Sequence, residues 1–242
     1  MTPADPCRYA LYFAPAADSP WWRFGCAWLG RDALAGTAVG QPQLDAVDAA
    51  TQHAATAAPR RYGFHATLRS PFRLRPGAGF AQLAARAEEL AACLQAFDAG
   101  ALEPGRLGRF VALLAPQAAA PLERLARECV FALEDLRAPL EAGEIARRGR
   151  GLDARGGELL ARYGYPYVME RYRFHMTLTG DLETALADRF VAAAAAAVRA
   201  LAREAPLAID RLCLFHEPGP GADFERLADY PLRPAQPVSG TR

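Results

Sequence analysis

The sequence predicts an α+β fold with antiparallel sheets flanked by helices, and three observations predict it. Two eight-residue segments lying 110 residues apart nearly coincide: Arg61-Tyr62-Gly63-Phe64-His65-Ala66-Thr67-Leu68 and Arg171-Tyr172-Arg173-Phe174-His175-Met176-Thr177-Leu178 agree at six of eight positions. Each alternates in the period-two manner of a half-buried strand. Each is followed by a helical pattern and then two strand patterns, an order that packs helices against antiparallel sheets.

The elements follow in chain order. Residues 8–14 (Arg-Tyr-Ala-Leu-Tyr-Phe-Ala) read as a strand, and Pro20 to Ala35 as a helix opened by proline. A Pro/Gln/Ala-rich connection with a short helix leads to the first motif strand at 61–69. Pro71 and Pro76-Gly77 break the chain before an amphipathic helix from Phe80 to Phe97. Strands at Ala101–Leu107 and Arg109–Ala115 and a helix from Ala119 to Leu136 come next. Residues 140–162, rich in charge and glycine, form an excursion of two short helices joined across Gly149–Gly157, placed to act as a flap or wall beside a site. The second motif strand covers 171–179, followed by a helix over Leu182–Arg203 and strands at Leu207–Phe215 and Phe224–Leu232. The tail over 234–242 is expected to fray.

The repeat carries chemistry as well as pattern. Strand alternation points Tyr62, Phe64, Ala66 and Leu68 inward and leaves His65 and Thr67 side by side on the other face; the second copy does the same with His175 and Thr177. Arg61 and Arg171 share the parity of those faces. An isolated strand histidine is usually structural, but packing does not explain two outward His-x-Thr pairs in a chain with only four histidines. Facing each other across a cleft bordered by guanidinium groups, the pairs suit a phosphodiester, because one imidazole takes a proton while the other gives one.

Composition bounds the rest. With 242 residues and 52% hydrophobic content, the chain is expected to bury a core as one bilobed domain or two intimately joined halves, one lobe centred on each motif. The net charge is +1 and all 28 basic residues are arginine, a balance that argues against a dedicated nucleic-acid binder. Five scattered cysteines (Cys7, Cys26, Cys93, Cys129, Cys213) without CxxC spacing read as reduced thiols. The histidines show neither HxH nor HxxxH spacing, so no metal site or cofactor is expected. No signal-peptide pattern and no membrane-length apolar run is present, so the expected compartment is the cytoplasm. Nothing in the sequence specifies an oligomeric state.

On these residues the chain resembles the two-histidine (2H) phosphoesterase superfamily, whose signature is a pair of His-x-Thr/Ser motifs on strands of two pseudo-symmetric lobes. Within it, the chain is most similar to the branch found alongside phosphonate-utilisation genes. That similarity runs through Arg8 to Pro15, Trp22-Arg23-Phe24-Gly25, Arg61 to Pro71, Arg137-Ala138-Pro139-Leu140 and Tyr163-Gly164-Tyr165-Pro166-Tyr167. The resemblance implies a bilobed, pseudo-two-fold, RNA-ligase-like fold with the active cleft between lobes. It also implies metal-independent catalysis, with His65 and His175 as general acid and base and Thr67 and Thr177 donating to the phosphate oxygens. Its context suggests a small cyclic phosphate substrate, 5-phosphoribosyl 1,2-cyclic phosphate. The alternatives are an RNA-end 2′,3′-cyclic phosphodiesterase and a non-catalytic cyclic-phosphate sensor.

Further residues carry two readings each. Arg69 and Arg173 fall on the cleft face by parity, as phosphate ligands or as solvated strand arginines. Tyr12 is either cleft floor or core. Trp21, Trp22 and Trp28 on the first helix read more readily as core than as a stacking wall. His53 is read as a surface residue, and His216 as a strand-end residue with the cleft rim as its other possibility.

Overall fold

The computed structural model describes residues 7–235. Its strands are β1 (Arg8–Phe13), β2 (Arg31–Asp32), β3 (Thr37–Ala38), β4 (Ala66–Phe72), β5 (Phe97–Asp98), β6 (Glu103–Leu107), β7 (Phe110–Leu114), β8 (His175–Thr177), β9 (Ala208–Ile209), β10 (Arg211–Glu217) and β11 (Glu225–Pro231). The α-helices are α1 (Pro20–Leu29), α2 (Ala49–Ala55), α3 (Ala57–Tyr62), α4 (Phe80–Cys93), α5 (Ala119–Leu133), α6 (Ala142–Arg148), α7 (Ala154–Tyr163) and α8 (Thr184–Glu204). Seven strands form one antiparallel sheet in the order β11-β10-β1-β4-β8-β7-β6, and β2–β3 and β5–β9 are short separate ribbons. The class is α+β, with helices flanking antiparallel sheets.

The connectivity exchanges the two halves. The helix after the first motif, α4, leads to β6 and β7, which extend the sheet beyond β8. The helix after the second, α8, leads to β10 and β11 on the far side of β4, with β1 inserted between. Both motif strands therefore lie at the middle of the sheet, and β1 reads as a nearly continuous apolar run because both of its faces are covered.

Helices cover the sheet through regular apolar stripes. α8 buries Ala187, Phe190, Ala194 and Val198 against β6 and β7, and α5 buries Leu122, Leu125, Ala126, Cys129 and Leu133 beside β4. α1 starts with the Ser19 side chain accepting the Trp21 N–H at 3.0 Å and Pro20 at its first position. It stops at Gly30, whose φ of 83° makes a left-handed cap, so it is shorter than the sequence expectation to Ala35. Trp21, Trp22 and Trp28 are all buried, the last donating its indole N–H to the Leu178 carbonyl at 3.1 Å.

Both motif strands are shorter than the alternation predicts. Arg61 and Tyr62 belong to α3, which carries Pro59 in its first turn and ends at Gly63 with φ 77° and ψ 175°. Only from Ala66 does the chain run as strand. Ahead of the second motif, Met169–Arg171 forms a 3₁₀ turn, leaving His175–Thr177 as the strand. Thr179 ends it by turning its hydroxyl to the Val111 N–H at 3.0 Å and the Gly180 carbonyl at 2.9 Å. The tail beyond residue 235 lies outside the described residues. No helix of the described residues is long and apolar enough to cross a membrane.

Candidate active site

β4 and β8 are antiparallel neighbours with Ala66 opposite Met176. Continued by one residue each way, that register sets His65 beside Thr177 and Thr67 beside His175. The histidines become diagonal neighbours, a relation that separates residues on adjacent strands by about 7–8 Å. The Ala66–Met176 pairing thus runs the two motifs antiparallel to one another at the centre of the sheet.

Each imidazole is pinned in the same way. His65 Nδ1 lies 2.9 Å from the Gly63 carbonyl oxygen, and His175 Nδ1 lies 2.7 Å from that of Arg173. A carbonyl only accepts, so Nδ1–H donates in both copies and Nε2 is the nitrogen left for chemistry. Thr67 Oγ1 stands 3.3 Å from His65 Nε2 and donates to it while that nitrogen is unprotonated. Tyr12 covers one face of the His65 ring, and Phe110 packs against His175 with ring centroids 5.6 Å apart.

These surroundings disfavour the charged imidazoles. Burial pushes His65 down to about 4, opposed by the Gly63 carbonyl and reinforced by the like charge of His175. Burial also lowers His175, against the pull of the Arg173 carbonyl. Burial outweighs the carbonyl contacts in both copies, so the neutral imidazole is the favoured form of each ring.

Two adjoining cavities open over the motifs. The larger, about 660 Å³, is lined by Tyr12, His65, Thr67 and Thr177 at one end and by Arg8, Ser70 and Arg148 at the other. The smaller, about 360 Å³, is lined by His175, Arg171 and Arg173. Thr67, Ser70, Phe110, Tyr165 and Tyr167 border both, so the two form one continuous cleft. Among the described residues, Asp181 is the one carboxylate along this lining, against guanidinium groups from Arg8, Arg148, Arg150, Arg171 and Arg173. The excursion after α5 supplies a wall through Arg148, Arg150 and Leu152. No group of three or more His, Cys, Asp or Glu among the described residues is placed to hold a metal ion.

The structure thus brings together His65, Thr67, His175, Thr177, Tyr12 and Arg173 around one cleft. Arg69 is a correction. The β1–β4 register pairs Tyr12 with Thr67 but Leu11 with Arg69, so a bulge inserts one residue and reverses the parity. Arg69 is buried away from the cleft, bound to Glu134 at 2.8 Å and to the Tyr163 carbonyl at 2.9 Å, and Ser70 takes its place on the cleft face. Arg61, being helical, is also displaced: it bonds Glu217 and stacks on Tyr62. His53 is exposed beside Arg60, and His216 lies near Glu225 and borders neither cavity. No periodic feature marks Arg8 or Ser70 as cleft residues, whereas Arg148 falls in the 140–162 excursion expected to wall the site.

Residues 67–225 match the profile of the protein family described as "Protein of unknown function (DUF1045)". The chain belongs to that family. The matched span contains Thr67, His175 and Thr177 and begins just after His65. The chain is also similar to two proteins named "Ribose 1,5-bisphosphate phosphokinase PhnN". One, from Janthinobacterium sp. (strain Marseille), is 43% identical over 231 residues, covering 90% of this chain and 49% of that protein. The other, from Laribacter hongkongensis (strain HLHK9), is 40% identical over 217 residues, covering 90% of this chain and 50% of that protein. The chain thus spans about half the length of these curated relatives.

Proposed function

We propose that the protein is a metal-independent phosphodiesterase of the two-histidine type that opens a small cyclic phosphodiester by general acid–base catalysis. One observation carries this reading: two imidazoles, each fixed through Nδ1–H to the carbonyl two residues upstream, present Nε2 to one cleft with a threonine hydroxyl beside each. His65, with its pKa held lower, takes a proton from the attacking water. His175 gives one to the departing alkoxide. A P–O bond forms to water, one ring P–O bond breaks, and the net change is addition of water. Each proton transfer contributes about 10²–10⁴-fold. Thr67 and Thr177 donate to the non-bridging oxygens as charge builds on them.

The kinase name of the relatives is not carried over, because the chain contains no lysine and so cannot form the Gly-Lys-Ser/Thr phosphate loop of P-loop kinases. The ribose bisphosphate in that name does support a ribose phosphate as the ligand class. The substrate is 5-phosphoribosyl 1,2-cyclic phosphate in phosphonate breakdown; cleaving its P–O2 bond yields ribose 1,5-bisphosphate. The reaction belongs to the cytoplasm, where the five cysteines stay reduced.

The test is a phosphorus NMR assay in chelator with ribosyl 1,2-cyclic phosphates and nucleoside 2′,3′-cyclic phosphates offered in parallel. Opening of the ribosyl substrate, lost in His65→Ala and His175→Ala, supports the reading. Opening of the nucleotides alone moves the function to RNA ends. Tight binding with no turnover makes the protein a sensor and overturns the enzymatic reading.

A further inference from the structure

The cleft is larger than a bare cyclic diester needs, and its charge is not spread evenly. Moving along β1 and β4 from the Tyr12–Thr67 pair to the Tyr9–Phe72 pair is three residues on β1, about 10 Å. At that far end Arg8 and Arg148 converge with Ser70 and Pro71, and a cavity of about 10 Å³, room for one water, continues the cleft between the same residues. The Arg148 guanidinium is half-buried and donates to Glu144 at 3.3 Å and to the Gly164 carbonyl at 3.2 Å. Burial and the like charges of Arg8, Arg147 and Arg73 work against it, and Glu144 offsets them only in part. Glu217, fully buried, is shared between Arg8 and Arg61. Arg150 forms no ion pair among the described residues and lines the larger cavity together with Arg8 and Arg148. The excess is positive, and no carboxylate of the described residues reaches this end of the larger cavity except those already bound to arginine.

We propose that this end of the cleft is a second anion subsite, in which Arg8, Arg148 and Arg150 bind a phosphate monoester carried by the substrate on the side of the sugar away from the reacting diester. The inference rests on the proposed phosphodiesterase function and names its specificity determinant. Guanidinium forks match the oxygens of a terminal phosphate, and a dianion there relieves the mutual repulsion of the arginines. The Ser70 hydroxyl adds a neutral donor at the boundary of all three cavities. Two phosphates on opposite sides of one pentose then occupy the two ends of the cleft, and the enzyme discriminates phosphorylated from unphosphorylated cyclic sugars.

Two readouts on the full chain test this. The first is the ratio of kcat/KM for 5-phosphoribosyl 1,2-cyclic phosphate to that for ribose 1,2-cyclic phosphate. The expected ratio is on the order of 100 in the wild type, dropping at least tenfold in Arg148→Gln and in Arg150→Ala, since hydrogen bonds to charged groups are the strong ones. Arg150 is exposed and ties down no other element, so its variant reads the subsite even where Arg148→Gln unfolds α6. The second is calorimetric binding of ribose 5-phosphate against ribose, expected to be saturable for the phosphate alone and weakened about tenfold or more by Arg150→Ala. Turnover of both diesters at equal efficiency overturns the subsite and leaves the phosphodiesterase reading standing. Saturable, Arg150-dependent binding of ribose 5-phosphate without turnover of any diester does the reverse.

Discussion

Tyr12 lies flat on His65, with ring centroids 3.8 Å apart and planes 22° from parallel. The phenol ring covers one face of the imidazole and so contributes to the burial that holds His65 near 4 rather than near its ordinary value. A histidine kept neutral in the fold makes the unfolded chain the better proton acceptor between those two values. Stability from this group is therefore fully present above pH 6.5 and is lost as pH falls toward 4. The loss amounts to about 2–3 kcal/mol. Urea unfolding at pH 7 and at pH 4 should show His65→Gln less acid-sensitive than the wild type by that amount. Parallel losses in the two proteins would mean that the ring is solvated.

The same pKa directions shape the rate profile. In the proposed reaction the base, His65, must be unprotonated and the acid, His175, protonated, so activity falls below the pKa of the first and above that of the second. In the free protein both are lowered, which puts the optimum of kcat/KM between about 4 and the ordinary histidine value near 6.5. A bound phosphate anion favours imidazolium, so the alkaline limb of kcat should lie at higher pH than that of kcat/KM. Because the rings interact, the limbs report the pair. An alkaline limb in the same place for both parameters would remove phosphate from between the histidines.

Thr67 and Thr177 separate hydrogen bonding from packing. Valine keeps the shape and removes the donor, and loss of one such donor typically lowers kcat by about 10²–10³-fold. Thr67→Val and Thr177→Val should each show that loss, and serine variants should keep most of the activity. Steady-state assays on the ribosyl substrate decide it; valine variants within threefold of wild type would leave the hydroxyls with a structural role only.

Much of this was legible in the sequence, and the failures have physical causes. The duplicated His-x-Thr, the helices carrying apolar stripes, the buried tryptophans and the strand at Arg8–Phe13 are all repetitive or periodic features that local pattern carries. Alternation misplaces Arg69 because a residue inserted between Thr67 and Arg69 reverses the side chains that follow until the register shifts again before Phe72, and a bulge leaves no mark in the sequence pattern. Arg61 was misplaced because Ala57–Tyr62 is helical up to the glycine that ends it. The close fit beneath the site was also invisible. A Cβ on Gly25 would stand 2.0 Å from the Phe64 ring, so the glycine of the Trp-Arg-Phe-Gly segment exists to admit the residue that precedes His65. Arg8 and Arg148 meet only through the tertiary fold, which no local window samples.

A backbone difference between the two motifs at the residue two before each histidine gives a last test. Gly63 and Arg173 occupy the same place, and the carbonyl of each receives the Nδ1–H of its histidine. Yet Gly63 has φ 77° and ψ 175°, a region essentially reserved for glycine, and a Cβ there would sit 2.5 Å from that of Ala33. Arg173 has no positive φ and is exposed at the cleft. Gly63→Ala should therefore cost about 1–3 kcal/mol in stability through strain alone. It should also lower kcat, because the carbonyl that orients His65 moves with it. Arg173→Ala should leave the unfolding midpoint within about 0.5 kcal/mol of wild type, as surface substitutions usually do, and should act instead through KM. Chemical denaturation paired with kinetics on both variants checks the contrast. Equal stability of the two would mean that the backbone at Gly63 relaxes without penalty, and the asymmetry between the motifs would then have no structural origin in this residue.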